Sequence, residues 1–312
     1  MAETIRYNHL NKFLKDKFGE RVLKICIDGG FTCPNRDGKV GKGGCIFCSE
    51  RGSGDHLKNL EAQNSTIFES ISNQVKLHLN SYRGQRANKF IAYFQNYTNT
   101  YDSIQNLKAK YDSALISPKI VGLAVATRPD CINEEIASLL GEYTEKYFVI
   151  VELGLQTAND ETGEILNRGY TKKDFENAVN LLKKFKIHIV CHIMIGLPNE
   201  TQDDLANTID FINHQKIDGV KIHSTYVVKN TKLAEMFYAG KYQCLTLDEY
   251  IDKAIFVISH LKKDLIIHRV SGDAPKDLLV APDWNAHKKW IINGLEKKLN
   301  ENNIFQGMFC DL

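Results

Sequence analysis

No apolar run in this chain approaches the roughly 18 residues that a membrane-crossing helix needs. The longest, at residues 147–155, is broken by Glu152. The N-terminal stretch MAETIRYNHLNKFLKDKFGERV lacks a secretory apolar core, so we expect a polar helical lead-in, no membrane association and a cytoplasmic protein. Charge of one sign is scarce. The net charge is only +2, and electrostatics alone therefore names no nucleic-acid partner. Neither G-x-G-x-x-G nor G-x-x-x-x-G-K-[ST] occurs, which removes the common nucleotide fingerprints. Repeats, low-complexity tracts and Pro/Ser-rich linkers are missing as well. What remains is 312 residues, 43% hydrophobic and 25% charged, an ordinary globular composition that can bury a substantial core without covalent staples.

Cysteine is plentiful but unevenly placed. Cys33, Cys45 and Cys48 crowd together just after Cys26, whereas Cys131, Cys191, Cys244 and Cys310 stand singly. Without a secretory signal, such a pattern argues against a disulfide framework and for a metal site near the N-terminus.

Apolar, β-branched runs predict strands near residues 22–28, 89–95, 120–126, 147–156, 187–195, 219–228 and 264–270. Helix-period segments lie between them, at 66–82, 103–115, 133–143, 172–185, 202–214, 232–239 and 247–261, with a closing helix at 284–299. This alternation is the pattern of a parallel α/β sheet, and strands apolar on both faces suit one covered by helices. With no nucleotide fingerprint, a partial (β/α)6-type TIM barrel with a helical C-terminal extension is the expected fold. Its chemistry would sit at the C-terminal ends of the strands. We expect a lead-in over 1–20, a core over 21–245 and an extension over 246–312.

The cysteine cluster reads CIDGGFTCPNRDGKVGKGGCIFCSE, a C-x11-C-x2-C spacing. The C-x2-C pair lets two thiolates reach one centre from a tight turn, and the arm from Cys33 brings a third. Gly38, Gly41, Gly43 and Gly44 let backbone wrap a bulky centre closely. Two centres fit. A structural zinc site would need a fourth ligand, Cys26 or His56. An iron–sulfur cluster with one open iron needs only the three.

The segments KICIDGGFTCPNRDGKVGKGGCIFC, YFQNYTNTY, ATRPDCI, VELGLQTAND, NRGYT, HIMIGLPNET and RVSGDAPKDLLVAPDWNAHK follow in that order. Together they resemble radical S-adenosylmethionine (radical SAM) enzymes of the branch related to the Elongator catalytic subunit. The nearest likeness is a small bacterial family with a stretched cysteine motif, and it spans residues 21–299. The superfamily's usual C-x3-C-x2-C is replaced by the branch's own C-x11-C-x2-C. No acetyltransferase-like segment and no second cysteine cluster accompany it.

The resemblance implies that Cys33, Cys45 and Cys48 hold a [4Fe–4S] cluster whose open iron chelates S-adenosylmethionine, with Phe47 near the adenine. Gln95 and Asn96 stand where the superfamily receives the cofactor's amino group. Glu152 and Gln156 would contact its ribose and methionine ends, Arg168 its carboxylate, and Gly196 would shape the pocket. For Glu152, pairing with Arg168 or a lysine is the competing structural role. His192 is expected as a satisfied core histidine and Cys191 as a small hydrophobe. His223, Tyr226, His268, Arg269 and Asp273 cluster at strand ends as substrate candidates. The branch acts on C5 of the wobble uridine, which implies a tRNA substrate and remodelling of a carboxymethylaminomethyl-type side chain by loss of its carboxymethyl unit. A ferredoxin or flavodoxin-type donor would supply the electron. Two other readings stay open: radical chemistry on a small molecule, and a zinc-stabilised nucleic-acid-binding module without catalysis. Lysine pairs at 183–184, 262–263, 288–289 and 297–298, with Trp284 and Trp290, are the candidate RNA surface.

Overall fold

The computed structural model describes residues 6–52 and 66–312. A helix α1 (Leu10–Phe18) leads into β1 (Val22–Ile27). The chain then runs through α2 (Ile67–Asn80), β2 (Lys89–Phe94), α3 (Ile104–Ala114), β3 (Ile120–Thr127), α4 (Glu134–Tyr143) and β4 (Phe148–Gln156). Next come α5 (Asp160–Ile165), α6 (Lys172–Leu182), β5 (His188–Ile195), α7 (Gln202–His214) and β6 (Gly219–Ser224). The C-terminal part adds β7 (Val227–Val228), α8 (Lys232–Tyr238), α9 (Leu247–His260), β8 (Ile266–Arg269), β9 (Leu279–Ala281) and α10 (Lys288–Glu301). Seven strands pair in the order β1-β2-β3-β4-β5-β6-β8. Every pairing is parallel. The result is a mixed α/β fold, a curled partial barrel wrapped by helices.

The helix starts are written locally. Thr66, Thr171, Thr201 and Thr246 each close a capping box with an acid three residues on, satisfying amide donors that a helix terminus leaves orphaned. The period-2 alternation of the strands then sorts two faces. Ile25, Ile27, Phe90, Phe94, Leu123, Val125, Val151, Leu153, Ile189 and Ile193 join the large core shared with the helices. Their alternates Val22, Ile91, Tyr93, Ala124, Ile150 and Val190 form the inner cluster, against which α1 packs Leu10, Phe13, Leu14 and Phe18. Phe13 meets the rings of Phe148 and His188, the first residues of β4 and β5. Thus α1 plugs the N-terminal mouth of the barrel, and the other mouth remains for a site.

Two expected elements differ. The strand at 219–228 breaks after Ser224, and Val227–Val228 pairs antiparallel with β9 in a separate small sheet. The closing helix splits into a 3-10 turn (Asp283–Ala286) and α10, with His287 between them. The short α5, capped by Asn159, was hidden in a polar segment.

Candidate active site

The cysteine loop is cross-braced from neighbouring elements. Cys48 N–H donates to the Cys45 carbonyl, making the tight turn of the C-x2-C pair, and Arg36 and Asp37 N–H both reach back to the Cys33 carbonyl. Arg36 donates through one guanidinium nitrogen to the carbonyls of Cys48 and Ser49. Asn35 Nδ2 donates to the Asn167 carbonyl at 2.5 Å and lies 3.8 Å from Cys45 Sγ. Asn167 Nδ2 returns a bond to the Gly44 carbonyl. All eight cysteines are free thiols. Burial, then Cys48, push the Cys45 thiol up to about 12, Arg128 opposes them, and Cys33 adds to the rise. Cys45 therefore lies within electrostatic reach of both other cysteines of the loop.

Gly38, Gly43 and Gly44 adopt left-handed φ of 94°, 82° and 80°. At Gly41 the constraint is space, because a Cβ would fall 2.3 Å from Asn35 Oδ1. Gly41→Ala should therefore push Asn35 off its contacts with Asn167 and Cys45. We expect several-fold less iron retained after reconstitution, with an unchanged far-ultraviolet circular dichroism spectrum; full loading would contradict this bracing role.

A cavity of about 760 Å³ opens beside the loop, and Phe47, Cys48, Gln95, Gln156, His223 and Arg269 are among the residues that line it. That volume suits a drug-sized ligand. Gln156 holds a left-handed φ of 62° where the β4–β5 register shifts, a strained bulge of the kind found beside active sites. Its Oε1 accepts from Tyr170 OH at 2.7 Å. Tyr226 and Asp273 also face this cavity. Among the described residues, Asn35, Asn96 and Asn99 have buried Oδ1 atoms without a partner, and Thr98 a buried hydroxyl. Buried polar atoms are normally satisfied, so these orphans, on the cysteine loop and on the segment after β2, suit an additional polar group. A loop carrying three thiols, the orphans and the cavity fit a sulfur-ligated cluster with a polar cosubstrate.

Other expected residues sit elsewhere. Arg168 is fully buried. It donates to the carbonyls of Tyr170, Leu155 and Thr157 and pairs with Asp160 at 2.6 Å. It is a loop anchor, paired with Asp160 and not with Glu152. Gly196, with φ of 85°, accepts from Tyr242 OH and lines a different, 260 Å³ cavity. His268 faces the plugged mouth, 3.1 Å from His188 Nε2, because the β6–β8 register shifts before Lys221. His56 lies outside the described residues.

Glu152 is the centre of a network that sequence reading only half saw. Its Oε1 accepts from Lys24 Nζ at 2.8 Å. Its Oε2 takes Tyr93 OH at 2.6 Å, Lys221 Nζ at 2.7 Å and His192 Nε2 at 2.9 Å. Burial alone would raise its pKa, but Lys221, Lys24 and His192 hold it well below the usual carboxylate range. Burial pulls Lys221 down to about 8 against the attraction of Glu152. Burial, then Lys221, push His192 down to about 4 although Glu152 opposes them. Lys24 interrupts VLKICI and Lys221 interrupts GVKIHS just as Glu152 interrupts its own strand, so the signal was present. Cys191 is a buried core residue, as expected.

Comparison with known proteins now bears on the cluster. The Radical SAM superfamily profile matches residues 33–212, beginning at Cys33 itself, and the Radical_SAM C-terminal domain profile matches 217–301. The chain belongs to the radical SAM superfamily. The uncharacterized protein YtqA of Bacillus subtilis is 36% identical over 304 residues, covering 97% of this chain and 92% of that one. Elongator complex protein 3 of Danio rerio is 27% identical over 165 residues, 52% of this chain and 29% of the relative. The solved structure of archaeal Methanocaldococcus infernus Elp3 with an N-terminal deletion superposes with a TM-score of 0.65 and 18% identity, covering 91% of this chain and 64% of that one. This radical SAM enzyme is thus related to the Elongator subunit, and its cofactors are those of the family, a [4Fe–4S] cluster and S-adenosylmethionine. Among the described residues, no three His, Cys, Asp or Glu side chains converge where a single ion would bind.

Proposed function

We propose that this radical SAM enzyme remodels the C5 side chain of the wobble uridine in tRNA, starting the loss of a carboxymethyl unit from a carboxymethylaminomethyl group. When bound, the cluster and S-adenosylmethionine would supply a 5′-deoxyadenosyl radical that takes a hydrogen atom from the carboxymethyl carbon; loss of one further electron from that carbon to the oxidised cluster, addition of water and cleavage of the C–N bond would then release the unit as glyoxylate and leave an aminomethyl group. Cys33, Cys45 and Cys48 would ligate three irons. Phe47 and Gln95 line the cavity beside them, and Gln156, held by Tyr170, would orient the cosubstrate. The partial barrel and α1 exclude water from below, which a reactive radical requires. The observation that carries the reading is the relation to Elongator complex protein 3 together with a cavity adjoining the cysteine loop.

The surface supports the tRNA part only locally. Lys183, Lys184, Lys297 and Lys298 are each tied to an acid, and Trp284 is core, stacked on Tyr250. Trp290, however, is 55% exposed and stacks on His287, next to Lys288, which lines the cavity. An aromatic platform beside the mouth is what a splayed-out base needs. In a deletion strain, mass spectrometry of tRNA nucleosides should show the carboxymethylaminomethyl nucleoside accumulating and its shortened product lost. Matching profiles in deletion and parent strains would remove the tRNA reading and favour a small-molecule substrate.

A further inference from the structure

The cavity floor has more positive charge than its carboxylates balance. Among the described residues lining the cavity, Lys24, Arg83, Arg269 and Lys288 are cationic, and Asp273 is the single acid. Asp273 is shared, taking Arg269 at 2.6 Å and Lys288 at 3.1 Å. Below it, Glu152 is likewise shared between Lys24 and Lys221. Counting Lys221 and leaving aside the exposed Arg83, four cations therefore meet two carboxylates, and the charges of Lys24, Lys221 and Arg269 are largely withdrawn from water, where an uncompensated charge is costly. His192 and His223, with ring centroids 5.1 Å apart and planes tilted by 38°, complete the floor. Burial, then His192 and Arg269, hold His223 neutral. Its Nε2 is buried with no partner among the described residues, while Gly272 and Tyr226 close round the ring.

Neither end of the cosubstrate would neutralise this excess: its carboxylate would be taken by the cluster held on Cys33, Cys45 and Cys48, and its sulfonium is itself a cation. Lys24, His223 and Arg269 stand instead on β1, β6 and β8. We propose that Lys24, His223 and Arg269 form a subsite for a carboxylate at the end of the substrate's side chain, so that the enzyme selects an acidic rather than a neutral substituent. The proposal rests on the functional reading above and deepens it: the floor would hold the end of the side chain while the cosubstrate side acts on the carbon next to it.

The test is anaerobic calorimetric titration of the holoenzyme, loaded with S-adenosylmethionine, using 5-carboxymethylaminomethyluridine and its carboxamide, which keeps the amine and lacks only the carboxylate charge. Charge-assisted contacts of this kind predict at least a roughly tenfold preference for the acid. Lys24→Met and Arg269→Met should each shrink that preference to about threefold or less, chiefly by weakening the acid. Two variants on different strands guard against one that misfolds, and circular dichroism identifies it. Equal affinity for acid and carboxamide, binding of neither, or an unchanged preference in both folded variants would overturn the subsite. Failure of the wider reading looks different. The acid preference would then persist although tRNA nucleosides are unchanged by gene deletion, whereas tRNA conversion without any acid preference would sink the subsite alone.

Discussion

Replacing Cys45 by alanine is expected to abolish reductive cleavage of S-adenosylmethionine. Loss of a partner that merely orients a metal ligand costs 10–100-fold, and loss of a ligand should exceed about 100-fold. Cys45 lies between Asn35 and the turn that carries Cys48. With only Cys33 and Cys48 remaining, a four-iron cluster would be held at two corners. The reconstituted variant should be pale, iron-poor and unable to form 5′-deoxyadenosine under reduction, while keeping its fold. Substantial 5′-deoxyadenosine from the variant would contradict the ligand assignment. The same change at Cys191 or Cys310, which lie far along the chain from the loop, should leave cleavage intact.

Glu152→Gln should produce the largest loss of stability of any isosteric change in the barrel. The substitution keeps volume but leaves Lys24 and Lys221 facing each other without a counter-charge. Removing one partner of a buried ion pair costs about 3–5 kcal/mol, which for a chain of this size lowers the unfolding midpoint by roughly 5–8 °C. The pH dependence has a definite sign. Glu152's folded pKa is depressed, so its contribution is complete above the ordinary glutamate range near pH 4.3 and is lost as pH falls below it. The gap between wild type and variant should therefore be widest near neutrality and close on acidification below about pH 4. Calorimetric scans from neutral to acidic pH check both points; a variant within about 1 kcal/mol of wild type at pH 7 would mean that the network is not ionised as described.

The local features were legible. The strands and helices follow β-branched runs and T-x-x-E or T-x-x-D caps, and the cysteine spacing with its glycines marked the loop directly. What was not legible is pairing between distant strands. Lys24 and Glu152 lie 128 residues apart, and only the barrel's curl brings both to one floor. A single register shift sent His268 to the plugged mouth, away from its sequence neighbour Arg269, which stays on the cavity wall. Arg168 misled for another reason. A buried arginine reads as a ligand for an anionic cofactor, yet three backbone carbonyls and Asp160 occupy it. The half-visible cases share one rule: an ionisable residue interrupting an apolar strand predicts a buried polar network, and the partner is another such interruption.

The most direct test joins cofactor and substrate in one reaction. Reconstituted holoenzyme, S-adenosylmethionine and a reductant would be incubated with tRNA whose wobble uridine carries carboxymethylaminomethyl with deuterium on the carboxymethyl carbon. We expect deuterium in 5′-deoxyadenosine and, by mass spectrometry, a shortened wobble nucleoside in proportion. Deoxyadenosine formed at the same rate with or without tRNA, free of deuterium and with the nucleoside intact, would contradict the account.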